Sequence, residues 1–368
     1  MSRILGIGLA AVLAVGVLAA IVISYTQGHS TPTRNLVAVH GVIGSEKLPF
    51  FQDSSVIAEF HAKGYDVQVD TAGSRQIATT VDLSRYDFAF PAGEPAGIKI
   101  QQKSHAKATY VPFFTPMAIA SFKTIAGLLK SAGVVTTVNG VDMFDVKAFL
   151  ALIAQNKRWT DIPNNSSYPA GTSILITSTD PQTSNSAAMY LSIASYVANG
   201  NNVVQDQTQA QQVLPAVAPI FTRQGLTLSS TEAPFEDYLS IGIGKDPMVM
   251  IYEAQFLARE AAKDGSITSD RELMYPSPTV FSKHTLVPLT PNGDSIGKLL
   301  STDPKLQSLA VKYGFRTSDP TAFTTYLTNR GVTPPPQLVN IIDPPTYDNL
   351  EALITGIAGL QKQLKGGS

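Results

Sequence analysis

Hydrophobic and polar positions along the 368-residue chain fall into three regimes. The first is an unbroken apolar run from Ile4 to Ile23, preceded only by Met-Ser-Arg. Its length matches a helix that spans a bilayer. Arg3 is the nearest charge, and the positive-inside tendency puts it in the cytoplasm and the polar remainder outside. Residues 1–25 are therefore expected to form a transmembrane anchor or a secretory signal. A signal has a shorter apolar core and a small-x-small cleavage site. This run is long and ends in Ile21-Val22-Ile23, which favours a retained anchor. Thr26 to Arg34 follows as a polar linker.

The second regime repeats strand, small-residue turn and helix. Leu36 to Ile43 is a short apolar run rich in β-branched residues, the mark of a buried strand. Val56 to Lys63 reads as a helix ending at Gly64. Tyr65 to Val69 alternates as a strand does, and Arg75 to Thr79 starts another helix. Tyr86 to Phe90 is a third strand. Thr109 to Ser121 is a long apolar strand, interrupted by Pro112 and Pro116, that suits a crossing between lobes. Helices are expected at Phe144 to Gln155, Ala187 to Ala198, Val203 to Val213 and Glu253 to Lys263. Strands are expected at Ser173 to Thr177 and Met248 to Tyr252, and Leu286 to Leu289 is extended. Ser295 to Leu300 and Pro304 to Tyr313 read as short helices. Such alternation predicts an α/β fold with a mainly parallel sheet. The third regime begins after Gly331. Pro334-Pro335-Pro336 and Pro344-Pro345 are extended, and Leu350 to Leu364 is a last amphipathic helix.

Composition narrows the function. Hydrophobic residues make up 44% of the chain, enough for a real core, while charged residues make up only 15%. The formal net charge is -1 and no basic stripe is visible, so nucleic acid is not an expected partner. With no cysteine, lipid acylation, disulfides, thiolate catalysis and Cys-type zinc sites are excluded together. His29, His40, His61, His105 and His284 are scattered, with no H-x-x-x-H pair, so no metal site is expected. Gly293-Asp294-Ser295 is read as a helix cap and not as a hydrolase motif. No G-x-S-x-G elbow occurs, and Gly242-Ile243-Gly244-Lys245 lacks phosphate-loop spacing. No nucleophile–base pair is readable, so an enzyme is not expected, and no cofactor is implied.

Three successive strand ends carry small residues: Gly44-Ser45, Gly73-Ser74 and Pro91-Ala92-Gly93. In an open α/β sheet, ligands lie beyond the carboxyl ends of the strands. The helix after each strand points free N–H groups and a partial positive charge there. Thr183-Ser184-Asn185-Ser186 offers the same arrangement after a different strand. Two such platforms face to face would clamp a small anion without Arg or Lys. Glu46, Glu94 and Glu253 would favour a cationic ligand, and Lys47 and Arg75 an anionic one; each is otherwise expected as a solvated first-turn residue. The backbone donors favour an anion. Trp159 is expected to be partly buried.

This order of motifs resembles the class II periplasmic or extracellular solute-binding proteins, and within them the molybdate-type group and its uncharacterised bacterial branch. Leu36–Ser45 is similar to that family's first strand and ligand-touching serine, and Gly73-Ser74 to its second. Tyr86-Asp87-Phe88-Ala89 is similar to its third strand, and Met250-Ile251-Tyr252-Glu253-Ala254 to the segment bearing a cleft tyrosine. Leu300–Arg316 is similar to its closing helices. The chain departs from the molybdate pattern at Glu46-Lys47, in an insert around Trp159 to Gly171, and in the tail after Gly331.

The resemblance implies a two-lobed, hinged α/β body. Lobe 1 would comprise residues 35–112 and a return over 253–330 with the closing helices. Lobe 2 would span 113–252, and 331–368 would be the tail. It implies ligand contacts from Ser45, Ser74, Ala92 and Gly93 in one lobe and from Ser184, Asn185 and Tyr252 in the other. The implied function is capture of a small solute at the outer face of the membrane, for a permease or a signalling partner; a secreted protein results if the N-terminal segment is cleaved. The alternative is a ligand-free module on the same fold that binds a protein partner, a reading to which the tail adds weight.

Overall fold

The computed structural model describes residues 35–225, 228, 230–335 and 338–366. The apolar run Ile4 to Ile23 lies outside these residues. Among the described residues no helix is long and apolar enough to cross a membrane.

The strands in chain order are β1 (Val37–Ile43), β2 (Tyr65–Thr71), β3 (Phe88–Phe90), β4 (Tyr110–Phe122), β5 (Val135–Val138), β6 (Val141–Asp145), β7 (Met248–Tyr252), β8 (Arg271–Ser277), β9 (Thr279–Pro288) and β10 (Ile341–Ile342). They join in the order β2-β1-β3-β9-β4-β8-β6-β5, with β7 paired to β4 and β10 to β9. The sheet is mixed, not mainly parallel as the alternation predicts. β1–β3, β6–β8 and β9–β10 run parallel, whereas β9 returns antiparallel between β3 and β4.

β4 and β9 tie the two halves together. The first part of β4 pairs with β9, from Phe113 opposite His284 to Pro116 opposite Phe281. Its second part pairs with β7 and β8, from Met117 opposite Tyr252 to Phe122 opposite Arg271. Pro112 falls at the register shift between Tyr110 and Phe113, where a missing N–H costs no ladder bond. Around β1 and β3, alternation sends Val39, Ile43, Phe88 and Phe90 to one covered face and Val42 and Ala89 to the other. The larger core gathers around Ile119, Phe149, Trp159, Met189, Tyr238 and Ile251.

Several boundaries move for local reasons. Phe144 belongs to β6, and the helix Val146–Ala154 starts after Asp145, whose carboxylate caps Ala148 N–H at 2.9 Å. Asp206 likewise delays the expected 203–213 helix to Gln207–Val217. Neither Asp294 nor Ser295 caps a helix. Thr290 caps Pro291–Thr302, and Asp294 accepts the Tyr110 hydroxyl at 2.5 Å. Ser173 to Thr177 forms no ladder; Ser173 bridges Arg158 and Thr177 bridges Val249, each singly. Trp159 is wholly buried. The tail is not loose. Ile341 and Ile342 pair with Thr279 and Val280. The helix Tyr347–Gly366 packs Leu350, Leu353, Ile354 and Ile357 into the larger core. The same helix pairs Glu351 with Arg75, and Arg75 and Lys99 lie over the Tyr347 ring at 5.5 and 5.1 Å.

Candidate functional site

The ends of β1, β2 and β3 meet at one edge. Gly44 N–H donates to the Phe90 carbonyl at 3.2 Å and Ala72 N–H to the Ile43 carbonyl at 3.0 Å. From the other side come the loop before helix Asn185–Ala198, with Ser184 as its N-cap, and Tyr252 at the end of β7. The two sides touch. Arg75 Nε donates to the Gln182 carbonyl at 3.1 Å. A Cβ on Gly73 would lie 2.4 Å from the Thr183 carbonyl oxygen, and one on Gly93 would lie 2.0 Å from Asn185 Oδ1.

One hydrogen-bond network joins most of the expected contact residues. Ala92 N–H donates to Ser74 Oγ at 2.8 Å, and the Ala92 carbonyl accepts from Ser282 Oγ. Asn185 Nδ2 donates to Tyr252 Oη and to Ser282 Oγ, both at 3.0 Å. Ser184 lies beside Asn185, its Oγ 3.0 Å from Ser186 Oγ, which is 2.9 Å from Thr179 Oγ1. Ser45 stands outside this network, its hydroxyl 2.8 Å from Ser230 Oγ. Ser282, Ser230 and Thr179 were not legible as site residues, whereas Ser186 belongs to the expected Thr183-Ser184-Asn185-Ser186 platform. Only Ser282 leaves a trace, as a polar residue with His284 at period two in a buried strand.

Three helix starts converge here without a side-chain cap, those behind Gly73, Gly93 and Ser184, while at the fourth, behind Tyr252, Thr115 Oγ1 accepts the Ala254 N–H at 3.1 Å. Elsewhere Asp53, Asp145, Asp206, Thr290, Asp303 and Asp319 cap their helices with a side-chain oxygen, whereas the helices after Phe122 and Thr231 also lack one from their N-cap residue. Amide donors that lack a cap remain for another acceptor.

Charge is buried behind this edge, contrary to the expectation of solvated first-turn side chains. Lys47 is fully buried against Phe90, with Nζ on Glu46 and 3.1 Å from His284 Nδ1. The same nitrogen lies 3.4 Å from Glu46 Oε1, and its tautomer sets whether it accepts from Lys47 or donates to Glu46. Burial and then Lys47 push the His284 pKa down to about 4. Burial alone would raise Glu46; Lys47 and His284 outweigh it and bring its carboxyl to about 2. Glu253 is buried too, but it faces Arg316 and Tyr275.

These shifts predict acid sensitivity. His284 titrates at its ordinary value when unfolded, so its neutral native form contributes stability that is complete above pH 6.5 and lost as pH falls toward about 4. Glu46 contributes stability present above 4.5 and lost as pH falls through about 2. The His284 step should amount to roughly 3 kcal/mol. Urea unfolding at successive pH values measures it, and His284→Gln should flatten the segment between pH 6.5 and 4. An unchanged slope in that variant would assign the step elsewhere.

Beside Glu46 and Tyr252 opens a cleft of about 400 Å³, lined further by Glu232, Phe235, Gln255, Arg259, Tyr313, Phe315 and Arg330. Among the described residues no group of His, Asp and Glu could hold a metal ion.

No family model matches the sequence, and no curated protein matches it. Solved structures do match. The sulfate-binding protein SubI from Mycobacterium tuberculosis H37Rv is 18% identical, with 86% of this chain and 96% of that one covered and a TM-score of 0.54. The periplasmic binding protein AfuA from Actinobacillus pleuropneumoniae is 12% identical, with 88% and 98% covered and a TM-score of 0.56. Apo ferric ion-binding protein A from Pasteurella haemolytica is 11% identical, with 88% and 98% covered and a TM-score of 0.53. At such identities the likeness establishes the two-lobed periplasmic-binding-protein fold.

Proposed function

We propose that the chain is an extracytoplasmic solute-binding protein that captures a small ligand between its lobes and delivers it to a permease or reports it to a partner. The reading involves no chemical turnover. One observation carries it: three uncapped helix starts, two from lobe 1 behind Gly73 and Gly93 and one from lobe 2 behind Ser184, meet at the edge where the lobes touch. A closed two-lobed body of this kind admits its ligand by hinge opening, and β4 and β9 are the strands on which it would turn. Ser45, Ser74, Ala92 and Gly93 would then face the solute from lobe 1, residues 35–112 with the return over 253–330. Ser184, Asn185 and Tyr252 would face it from lobe 2, residues 113–252. Amide donors at these positions suit an anion, and the ordered strand-end motifs support the molybdate-type branch. Residues 1–25 would hold the protein at the membrane.

The neighbours' names support binding: one binds sulfate, one is a ferric ion-binding protein. A ligand that binds the native state should raise the melting temperature. Ser45→Ala and Ser74→Ala should abolish that rise and leave the protein folded. Ser74→Ala removes the acceptor of a buried N–H and should cost about 1–3 kcal/mol. Normal binding by both variants would refute the assignment. The second reading, a module that has lost its ligand, is favoured by a specific feature. The hydroxyls and carboxamide of Ser45, Ser74, Ser184, Asn185 and Tyr252 all have partners within the chain. Silence across oxyanions, amino acids and amines would select that reading.

A further inference from the structure

We propose that the cleft beside Tyr252 binds an organic ammonium group, held by the Glu232 carboxylate against aromatic walls. The inference rests on the solute-binding reading and names the chemistry of the cleft that adjoins its edge. The cleft, about 400 Å³, is of a size for a small organic molecule. Phe235, Tyr252 and Phe315 are buried in its wall, and Tyr313 and Tyr326 flank them. Aromatic faces attract a cation through their quadrupole, most strongly where water is excluded.

Three carboxylates and three cations line the cleft, and Glu232 and Arg330 are the two without an ion pair within 4 Å among the described residues. Arg259 is engaged by Glu236 and by Asp264 at 3.2 Å, and Lys312 by Asp53 at 2.6 Å. Glu46 is engaged by Lys47. Arg330 donates Nε to the Ala261 carbonyl at 2.9 Å and lies exposed at the rim. The Glu232 carboxylate accepts from Gln255 Nε2 at 3.3 Å and shares a hydrogen bond with Glu236, with Arg259 acting on it from farther off. Burial, and then Glu236, raise its pKa, outweighing Gln255 and Arg259, which lower it. A ligand cation at this point would supply the missing charge and be flanked by the rings. An anion would meet Glu232 and the electron-rich ring faces.

The test is titration calorimetry on the full chain with choline, phenethylamine and spermidine, each alone, at pH 7.5, beside sulfate and molybdate. Saturable binding of at least one amine is expected, weakened about tenfold or more in Glu232→Gln, a loss of 1.4 kcal/mol or more. Circular dichroism and the melting curve of the free variant establish that it is folded. Amine binding unchanged by Glu232→Gln overturns the inference. Binding of an oxyanion with silence from every amine overturns it too, and leaves the solute-binding reading standing. Silence from all five overturns the inference, and silence from amino acids as well overturns the solute-binding reading too.

Discussion

Gly73→Ala should hold the two lobes apart while each stays folded. The new Cβ would lie 2.4 Å from the Thr183 carbonyl oxygen, well inside contact distance. That oxygen belongs to the backbone of the opposing loop, so no side-chain rotation relieves the clash. Gly73 itself has φ -60 and ψ 138, which alanine adopts freely, so lobe 1 suffers no strain of its own. Gly93→Ala should act alike. Its Cβ would lie 2.0 Å from Asn185 Oδ1, and Asn185 cannot turn away without leaving Tyr252 and Ser282. Small-angle scattering should show a larger radius of gyration for both variants, and ligand-induced changes should vanish. Gly127→Ala is the control. Nothing lies within 4 Å of its Cβ, and a helical glycine replaced by alanine gains roughly 0.5–1 kcal/mol. If Gly73→Ala and the control scatter identically, the loops are not in contact and the site dissolves.

The largest loss of stability should come from Arg316→Met. Arg316 meets Glu253 through two parallel bonds, Nε to Oε2 and Nη2 to Oε1, both 2.7 Å. The carboxylate is wholly buried and also accepts the Tyr275 hydroxyl at 2.7 Å. Methionine would leave that charge without its partner in a low-dielectric setting, at a cost of about 3–5 kcal/mol. The loss should be local in origin and global in effect. Glu253 begins the helix after β7, and Arg316 is bridged through its backbone to Phe114 on β4. Glu253→Gln combined with Arg316→Met should restore much of the stability, because the unpaired charge is then gone. Chemical denaturation of the single and double variants decides the point. A single variant within about 1 kcal/mol of the parent would show the pair to be solvated in practice.

Regular elements were legible wherever local chemistry alone sets them. Met248 to Tyr252 is apolar throughout and forms β7 without shift, and Asp303-Pro304 starts its helix where a capping carboxylate and a first-turn proline demand. The β5–β6 hairpin was open to the same kind of reading. Asn139-Gly140, both with positive φ, is the turn that a two-residue hairpin prefers. Ser173 to Thr177 shows the opposite failure. Its buried isoleucines imitate a strand, but a strand also needs a neighbour along its length, and this segment has only single bridges.

Strand-end glycines and serines, the alternation of elements and the absence of cysteine were determined by the sequence itself, since each depends on residues close in the chain. Only the tertiary structure decided which charges are buried. Lys47 meets His284 across 237 positions and Arg75 meets Glu351 across 276, so first-turn residues that look solvated in isolation are enclosed. It also decided that Asn185 spans from Tyr252 to Ser282, and that the tail packs into the core. Such contacts arise from chain closure over long separations, and no local pattern of polarity encodes the partner at the other end.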